Sequence, residues 1–152
     1  MKSIDSRLKD FARIELCNLV LGKSLGEGVY RDVYAHALDP SLVIKIEMEK
    51  GSFANIMEWE FWQHNSHDPK VSKFLAPCIH ISDSGLVLIQ RRTIPLIGNK
   101  GLPKRVPDLI GDIHTGNWGY LGVGGPVVCH DYGSLSLSGG RGSPKMKSVS
   151  WS

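Results

Sequence analysis

The spacing of apolar positions changes along the chain, and each change marks an element. Between Ile4 and Ile14, Leu8, Phe11 and Ala12 fall on one side with Arg and Lys elsewhere, the pattern of a short amphipathic helix. From Leu19 the pattern alters. Leu19 to Gly26 predicts a strand running into a glycine-rich turn, and Val29 to Leu38 predicts the return strand, with Val33, Ala35 and Ala37 alternating against polar neighbours. Asp39-Pro40 marks a turn, and Ser41 to Met48 a third strand built on Val43, Ile44 and Ile46. Ser52 is placed to cap a helix from Phe53 to Asn65, and Asp68-Pro69 opens another short helix. Cys78 to Ser82 and Leu86 to Gln90 read as a hairpin across Asp83-Ser84-Gly85.

Beyond Arg92, Gly98, Gly101, Pro103 and Pro107 interrupt any long helix before Asp108. Trp118 to Val123 and Val127 to Cys129 are short apolar segments on either side of Gly124-Gly125-Pro126. The Ser- and Gly-rich stretch from Ser134 to Ser152 is expected to contribute little core and to be partly disordered or draped over the surface. The pattern predicts an α+β fold: an antiparallel sheet with one main helix on it, followed by a small loop-and-hairpin segment.

Composition narrows the function classes. At 152 residues, with 41% hydrophobic and 22% charged, the chain holds one domain with a modest core. A formal charge of +3 is spread along it, with pairs only at Arg91-Arg92 and Lys104-Arg105, which argues against a nucleic-acid face and suits a phosphate-bearing ligand. Cys17, Cys78 and Cys129 are odd in number and far apart, so neither a disulfide framework nor a zinc site is expected. No apolar run follows Met1-Lys2 and no stretch has the length of a membrane span, so the expected setting is a cytoplasmic, reducing one.

Five signals with chemical content follow one another. Gly26 and Gly28, between strands, let backbone N–H groups approach phosphate oxygens closely. Lys45 sits inside the apolar Val43-Ile44-Lys45 strand, where a buried ammonium needs an anionic ligand and a carboxylate partner. Glu58 and Glu60, on the following helix, are rival candidates for that partner. Asp112 and Asn117, five positions apart in Gly111-Asp112-Ile113-His114-Thr115-Gly116-Asn117, suit a base that orients a hydroxyl and a carbonyl oxygen for magnesium. Asp131, directly after the apolar Val127-Val128-Cys129 run and before Tyr132-Gly133, suits a second magnesium ligand.

In this order the signals resemble the glycine-rich loop, strand lysine, helix glutamate, catalytic loop and Asp-Phe-Gly motif of the protein-kinase-like superfamily, over residues 19–133. The catalytic loop is most similar to that of aminoglycoside and choline kinases, His-Gly-Asp-x-His-x-Gly-Asn, matched here by Gly111, Asp112, His114, Gly116 and Asn117. The resemblance implies a kinase-like N-lobe with a minimal remnant of the C-lobe. Residues 1–18 would be an N-terminal helix, 19–92 the N-lobe, 93–133 the catalytic and metal-binding loops, and 134–152 a tail. It implies ATP and Mg2+ as ligands, with Asp112 as catalytic base, Asn117 and Asp131 on the metal, and Lys45 on the phosphates with Glu58 behind it. Gly26, Gly28 and Arg31 would lie in the nucleotide loop, and Gln90-Arg91-Arg92 would be the hinge that meets an adenine.

The resemblance has gaps. Ile110 stands where the loop's opening histidine belongs, and Arg31 where a third glycine is common. Only about twenty residues separate Arg92 from Asp112, too few and too broken for the helix that normally supports the loop. No Ala-Pro-Glu motif follows Gly133. Two functions are therefore carried forward. One is a small phosphotransferase of unnamed acceptor, completed by a homodimer or protein partner. The other is a non-catalytic, pseudokinase-type protein that binds another macromolecule. Its similarity to short kinase-like phage and prophage proteins suggests a host protein as that target. A nucleic-acid module built on the basic pairs and the four Trp ranks third.

Overall fold

The computed structural model describes residues 4–48, 51–133 and 144–151. Its main sheet has five antiparallel strands: β1 (Leu21–Glu27), β2 (Arg31–His36), β3 (Leu42–Glu47), β4 (Cys78–Ile81) and β5 (Val87–Arg91), in the order β1-β2-β3-β5-β4. Helix α2 (Ala54–Asn65) lies against β3, β4 and β5, and the short α3 (Pro69–Ser72) follows it, capped by the Asp68 side chain on the Lys70 amide. This is the α+β arrangement expected: an antiparallel sheet carrying one main helix. The Cys78-to-Gln90 hairpin turns at Gly85, whose φ of 76° is open to glycine at no steric cost.

Helix α1 runs from Ile4 to Val20, longer than its apolar spacing suggested. No helix breaker intervenes before Gly22, and Lys9–Asp5 and Arg13–Asp10 pairs support it at helical spacing. Its Leu8, Phe11, Leu16 and Leu19 are exposed.

Ser52 is not the cap of α2. Phe53 holds the N-cap position in the left-handed region (φ 56°) without a side-chain cap bond. The first-turn amide of Asn55 is instead taken by the Glu47 carboxylate at the end of β3, 2.6 Å away, while Ser52 Oγ donates to the other Glu47 oxygen. A carboxylate at a helix N-terminus meets unpaired N–H groups and the positive end of the dipole. Here it comes from a neighbouring strand, which local sequence cannot reveal.

The second half builds two small sheets. β6 (Ile94–Pro95), β8 (Trp118–Tyr120) and β9 (Val127–Cys129) form one, in the order β6-β8-β9. β7 (Arg105–Pro107) pairs antiparallel with β10 (Met146–Ser148). The segment read as a surface tail thus contains a strand, and Val149 and Trp151 pack on the core. Apolar side chains in an otherwise polar stretch supply that burial. The rest of that stretch, positions 134–143 and 152, lies outside the described residues.

One core joins the two halves. Phe61 of α2 and Leu88 of β5 meet Val71, Leu75, Val106, Ile110, Trp118, Cys129 and Tyr132. The backbone adds a seam: Ala76 N donates to Cys129 O at 2.8 Å, and Cys129 N to Phe74 O at 2.7 Å. That seam holds the end of β9, and with it Asp131, against the segment that leads into β4.

Candidate functional site

Lys45 lies mid-strand in β3, opposite Val33 on one side and Leu88 on the other. It is 3% exposed, and a buried ammonium demands partners. Its Nζ donates to Glu58 Oε1 at 2.6 Å and to the main-chain carbonyl of His130. Glu58 is the partner and Glu60 is not, because two positions on a helix turn a side chain to the opposite face, and Glu60 is exposed. Burial alone pushes the Glu58 carboxyl up. The Lys45 and Arg31 charges, with the hydrogen bonds both donate, outweigh it and hold the pKa below its ordinary value.

Arg31, at the start of β2, is the second cation on Glu58. Its guanidinium donates to Glu58 Oε2 at 2.9 Å, to Asn55 Oδ1 at 3.2 Å and to Asp131 Oδ1 at 2.7 Å. Burial works against its charge, but Glu58 and Asp131 prevail and raise its pKa. The loop before it closes through Gly28 N on Arg31 O, 2.8 Å, and a Cβ on Gly28 would stand 2.9 Å from that same oxygen. Gly26 has nothing within 4 Å of where a Cβ would be. Gly28 is therefore needed by the fold, while the space above Gly26 is left open.

The loop with Asp112 and Asn117 comes from the second half. His114 caps a short 3-10 turn (Thr115–Asn117) through its Nδ1 on Gly116 N, and the Asn117 side-chain amide donates to Asp112 Oδ2 at 3.0 Å. Asn117 O then accepts from His130 N at 2.8 Å, which joins this loop to the segment carrying Asp131. Ile110, in the place of the expected histidine, is buried in the core and serves packing.

Gly26, Gly28, Arg31, Lys45, Gln90, Asp112, Asn117 and Asp131 all line one open cleft of about 1300 Å³, with Glu58 behind Lys45. Gln90 lines it from an unexpected attitude. It is fully buried, and its Nε2 donates to Glu58 Oε1 at 2.9 Å, so its amide extends the ion-pair network. Arg91, Arg92 and Thr93 carry the cleft wall onward from the end of β5.

Asn55 and His130 were given no role in the sequence, and Tyr132 only that of the aromatic following Asp131. Asn55 is fully buried, and its Nδ2 donates to Lys45 O (3.2 Å) and Leu86 O (3.0 Å) while its Oδ1 accepts from Arg31. It sits one turn before Glu58 on α2, a spacing that could have flagged it. His130 bridges two loops: Thr93 Oγ1 lies 2.8 Å from Nδ1, and Nε2 lies 3.1 Å from Gly116 O. A carbonyl only accepts, so Nε2 carries the proton and Nδ1 accepts from the threonine. Burial, followed by the charge of Lys45, lowers the His130 pKa to about 4, so the ring is neutral near pH 7. Tyr132 is buried, its hydroxyl donating to Ala76 O at 2.6 Å beside Cys78 Sγ, its ring 5.5 Å from that of Phe61. Burial drives the Tyr132 pKa upward and pushes the Cys78 and Cys129 thiols up to about 12.

The donor chemistry can be set against the expected magnesium ion. Among the described residues no three His, Cys, Asp or Glu side chains gather as a metal cage. What the cleft offers is oxygen: the Asn117 carbonyl, left over when its N–H goes to Asp112, and the second oxygen of Asp131, whose side chain is 51% exposed. These are hard donors of the kind magnesium takes together with phosphates, but the Arg31 guanidinium already stands on the other Asp131 oxygen, 2.7 Å away.

No protein-family model matches the chain, and no curated protein matches it. Among solved structures, the chain is similar to the streptomycin–ATP–APH(2")-IIa ternary complex, at 13% identity and a TM-score of 0.42. The likeness covers 63% of this chain and 31% of that one, so the chain spans about a third of that structure's length.

Proposed function

We propose that this chain is a nucleotide-binding protein of the kinase-like type, taking ATP in the cleft and acting as a phosphotransferase toward an acceptor the sequence does not name. The observation that carries this reading is the Lys45–Glu58 pair: an ammonium 3% exposed, held at 2.6 Å by a fully buried carboxylate on the wall of an open cleft. A surface lysine would need no such partner, and a lysine serving only the core is costly compared with an apolar residue. An ammonium fixed this way is ready to meet phosphate oxygens. The glycine loop above it suits backbone N–H contacts with the same group.

In this reading Asp112 orients the attacking hydroxyl and takes its proton. The Asn117 amide holds the Asp112 carboxylate in place, and the Lys45 ammonium offsets negative charge on the phosphates. Asn117 and Asp131 would hold the magnesium ion, which supplies neutralisation of phosphate charge when bound. His130, through Thr93 and Gly116, and Tyr132, through Ala76, position the Asp131 segment. The exposed Cys17 thiol and the buried Cys78 and Cys129 thiols suit a reducing compartment such as the cytoplasm. No described helix is long and apolar enough to cross a membrane.

The second reading, nucleotide binding without phosphoryl transfer in the service of a macromolecular partner, is favoured by one observation: Arg31 already occupies one oxygen of Asp131. The test between them is turnover. Purified chain with ATP and magnesium should hydrolyse ATP or phosphorylate itself, and the exposed Asp112→Asn variant should lose that activity while keeping affinity. Binding that persists with no turnover in either protein selects the non-catalytic reading. No binding at all removes both.

A further inference from the structure

We infer that Arg31 serves as the resident cation of Asp131, so that this cleft binds nucleotide phosphates without requiring a divalent metal ion. The inference rests on the nucleotide reading above and deepens it.

The guanidinium is not a loose arm. It is anchored from behind by Glu58 Oε2 at 2.9 Å and Asn55 Oδ1 at 3.2 Å, and both anchors are fully buried on α2. Asn55 is itself fixed by two backbone carbonyls, Lys45 O and Leu86 O. Arg31 therefore has a set position at the cleft wall, with a side chain 9% exposed, and the half-exposed Asp131 comes to it at 2.7 Å.

The charge logic follows. A bare carboxylate at Asp131 would repel a phosphate chain resting on Lys45, and a divalent ion between the two is one way to remove that repulsion. Here a fixed guanidinium already removes it. Lys45 and Arg31 balance Glu58 and Asp131 one for one, and the phosphates meet a compensated wall. A metal ion added to the free oxygen of Asp131 would stand beside a cation that cannot withdraw, which weakens its hold there.

The test is calorimetric titration with a non-hydrolysable ATP analogue, in EDTA and in magnesium. The wild-type chain should bind in both, with dissociation constants within roughly threefold. Arg31→Gln exposes the Asp131 charge, so binding in EDTA should weaken by about tenfold or more and recover with magnesium. Adding Asp131→Asn to Arg31→Gln should restore binding in EDTA, an effect that a merely structural role for Arg31 does not produce. Should Arg31→Gln fail to fold, Asp131→Asn alone keeps the question open to decision. It leaves Arg31 with net charge in the cleft and should strengthen binding in EDTA. Wild-type binding that appears only with magnesium overturns this inference and leaves the nucleotide reading standing. Absence of binding in both conditions overturns the nucleotide reading, and this inference with it.

Discussion

Lys147, on the last strand, donates from its ammonium to the main-chain carbonyl of Ile110 at 2.6 Å, two residues before Asp112. Beside it Trp151 meets Trp118 edge-on, with ring centroids 5.2 Å apart, and its Nε1 donates to Pro103 O at 2.9 Å. Between Arg92 and Asp112 the chain forms no helix, and β7 of that stretch is paired with β10. A segment expected to contribute little core thus braces the chain just before Asp112.

Trp151→Ala should therefore destabilise the whole fold by about 2 kcal/mol, below the range for a fully buried tryptophan because this one is partly exposed. Lys147→Met should cost about 1–2 kcal/mol through the lost charged hydrogen bond. Urea midpoints measure both. Unchanged midpoints would mean the last strand is an ornament on the surface.

The ion network separates two nearby glutamates. Glu58→Ala leaves Lys45 and Arg31 buried without their shared partner and should cost about 3–5 kcal/mol. Glu60→Ala, on the exposed face, should stay within about 0.5 kcal/mol of wild type. Equal effects from the two would refute the pairing seen here.

His130 should make stability depend on pH. Its pKa is lowered from 6.5 to about 4 in the folded chain, so the unfolded chain binds the proton first as pH falls. The stability it confers is complete above pH 6.5 and is lost progressively as pH drops toward about 4, by at most about 3 kcal/mol. Glu58, whose pKa also lies below its ordinary value, adds loss in the same direction at still lower pH. His130→Asn should flatten the upper part of the curve, which guanidinium melts across that window can read.

The two loop glycines should behave differently. Gly28→Ala puts a methyl 2.9 Å from Arg31 O and should cost about 1–3 kcal/mol. Gly26→Val meets open space, so stability should change by no more than about 0.5 kcal/mol while nucleotide affinity falls. A melt and a nucleotide titration on each variant distinguish the roles. A Gly26→Val chain that binds as well as wild type would remove Gly26 from the site.

Removing the Tyr132 hydroxyl isolates one anchor of the Asp131 segment. Tyr132→Phe deprives Ala76 O of its 2.6 Å donor and should cost about 1–2 kcal/mol. Amide exchange at residues 129–133 should quicken more than in the main sheet. Uniform quickening would show the hydroxyl acts on the fold at large.

The strands, the main helix and the hairpin were legible because their signals are local. Alternation of Val33 with its neighbours, the β-branched Val43-Ile44-Ile46 body and the Asp83-Ser84-Gly85 turn act within a few residues. The residues proposed for the site stood out for a related reason: Lys45 in an apolar strand and Asp112 and Asn117 in a tight loop are anomalous where they stand. Tertiary structure alone decided the partners. That Glu58 takes Lys45, that Arg31 turns back onto Asp131, that Glu47 caps α2 and that Gln90 faces the ion network all depend on contacts between elements. So does the place of Trp151 and Lys147 beneath the Asp112 loop, roughly 40 positions away in the chain. Periodicity records which face of an element is buried. It does not record which element covers that face, and at this site the covering element sets the charge.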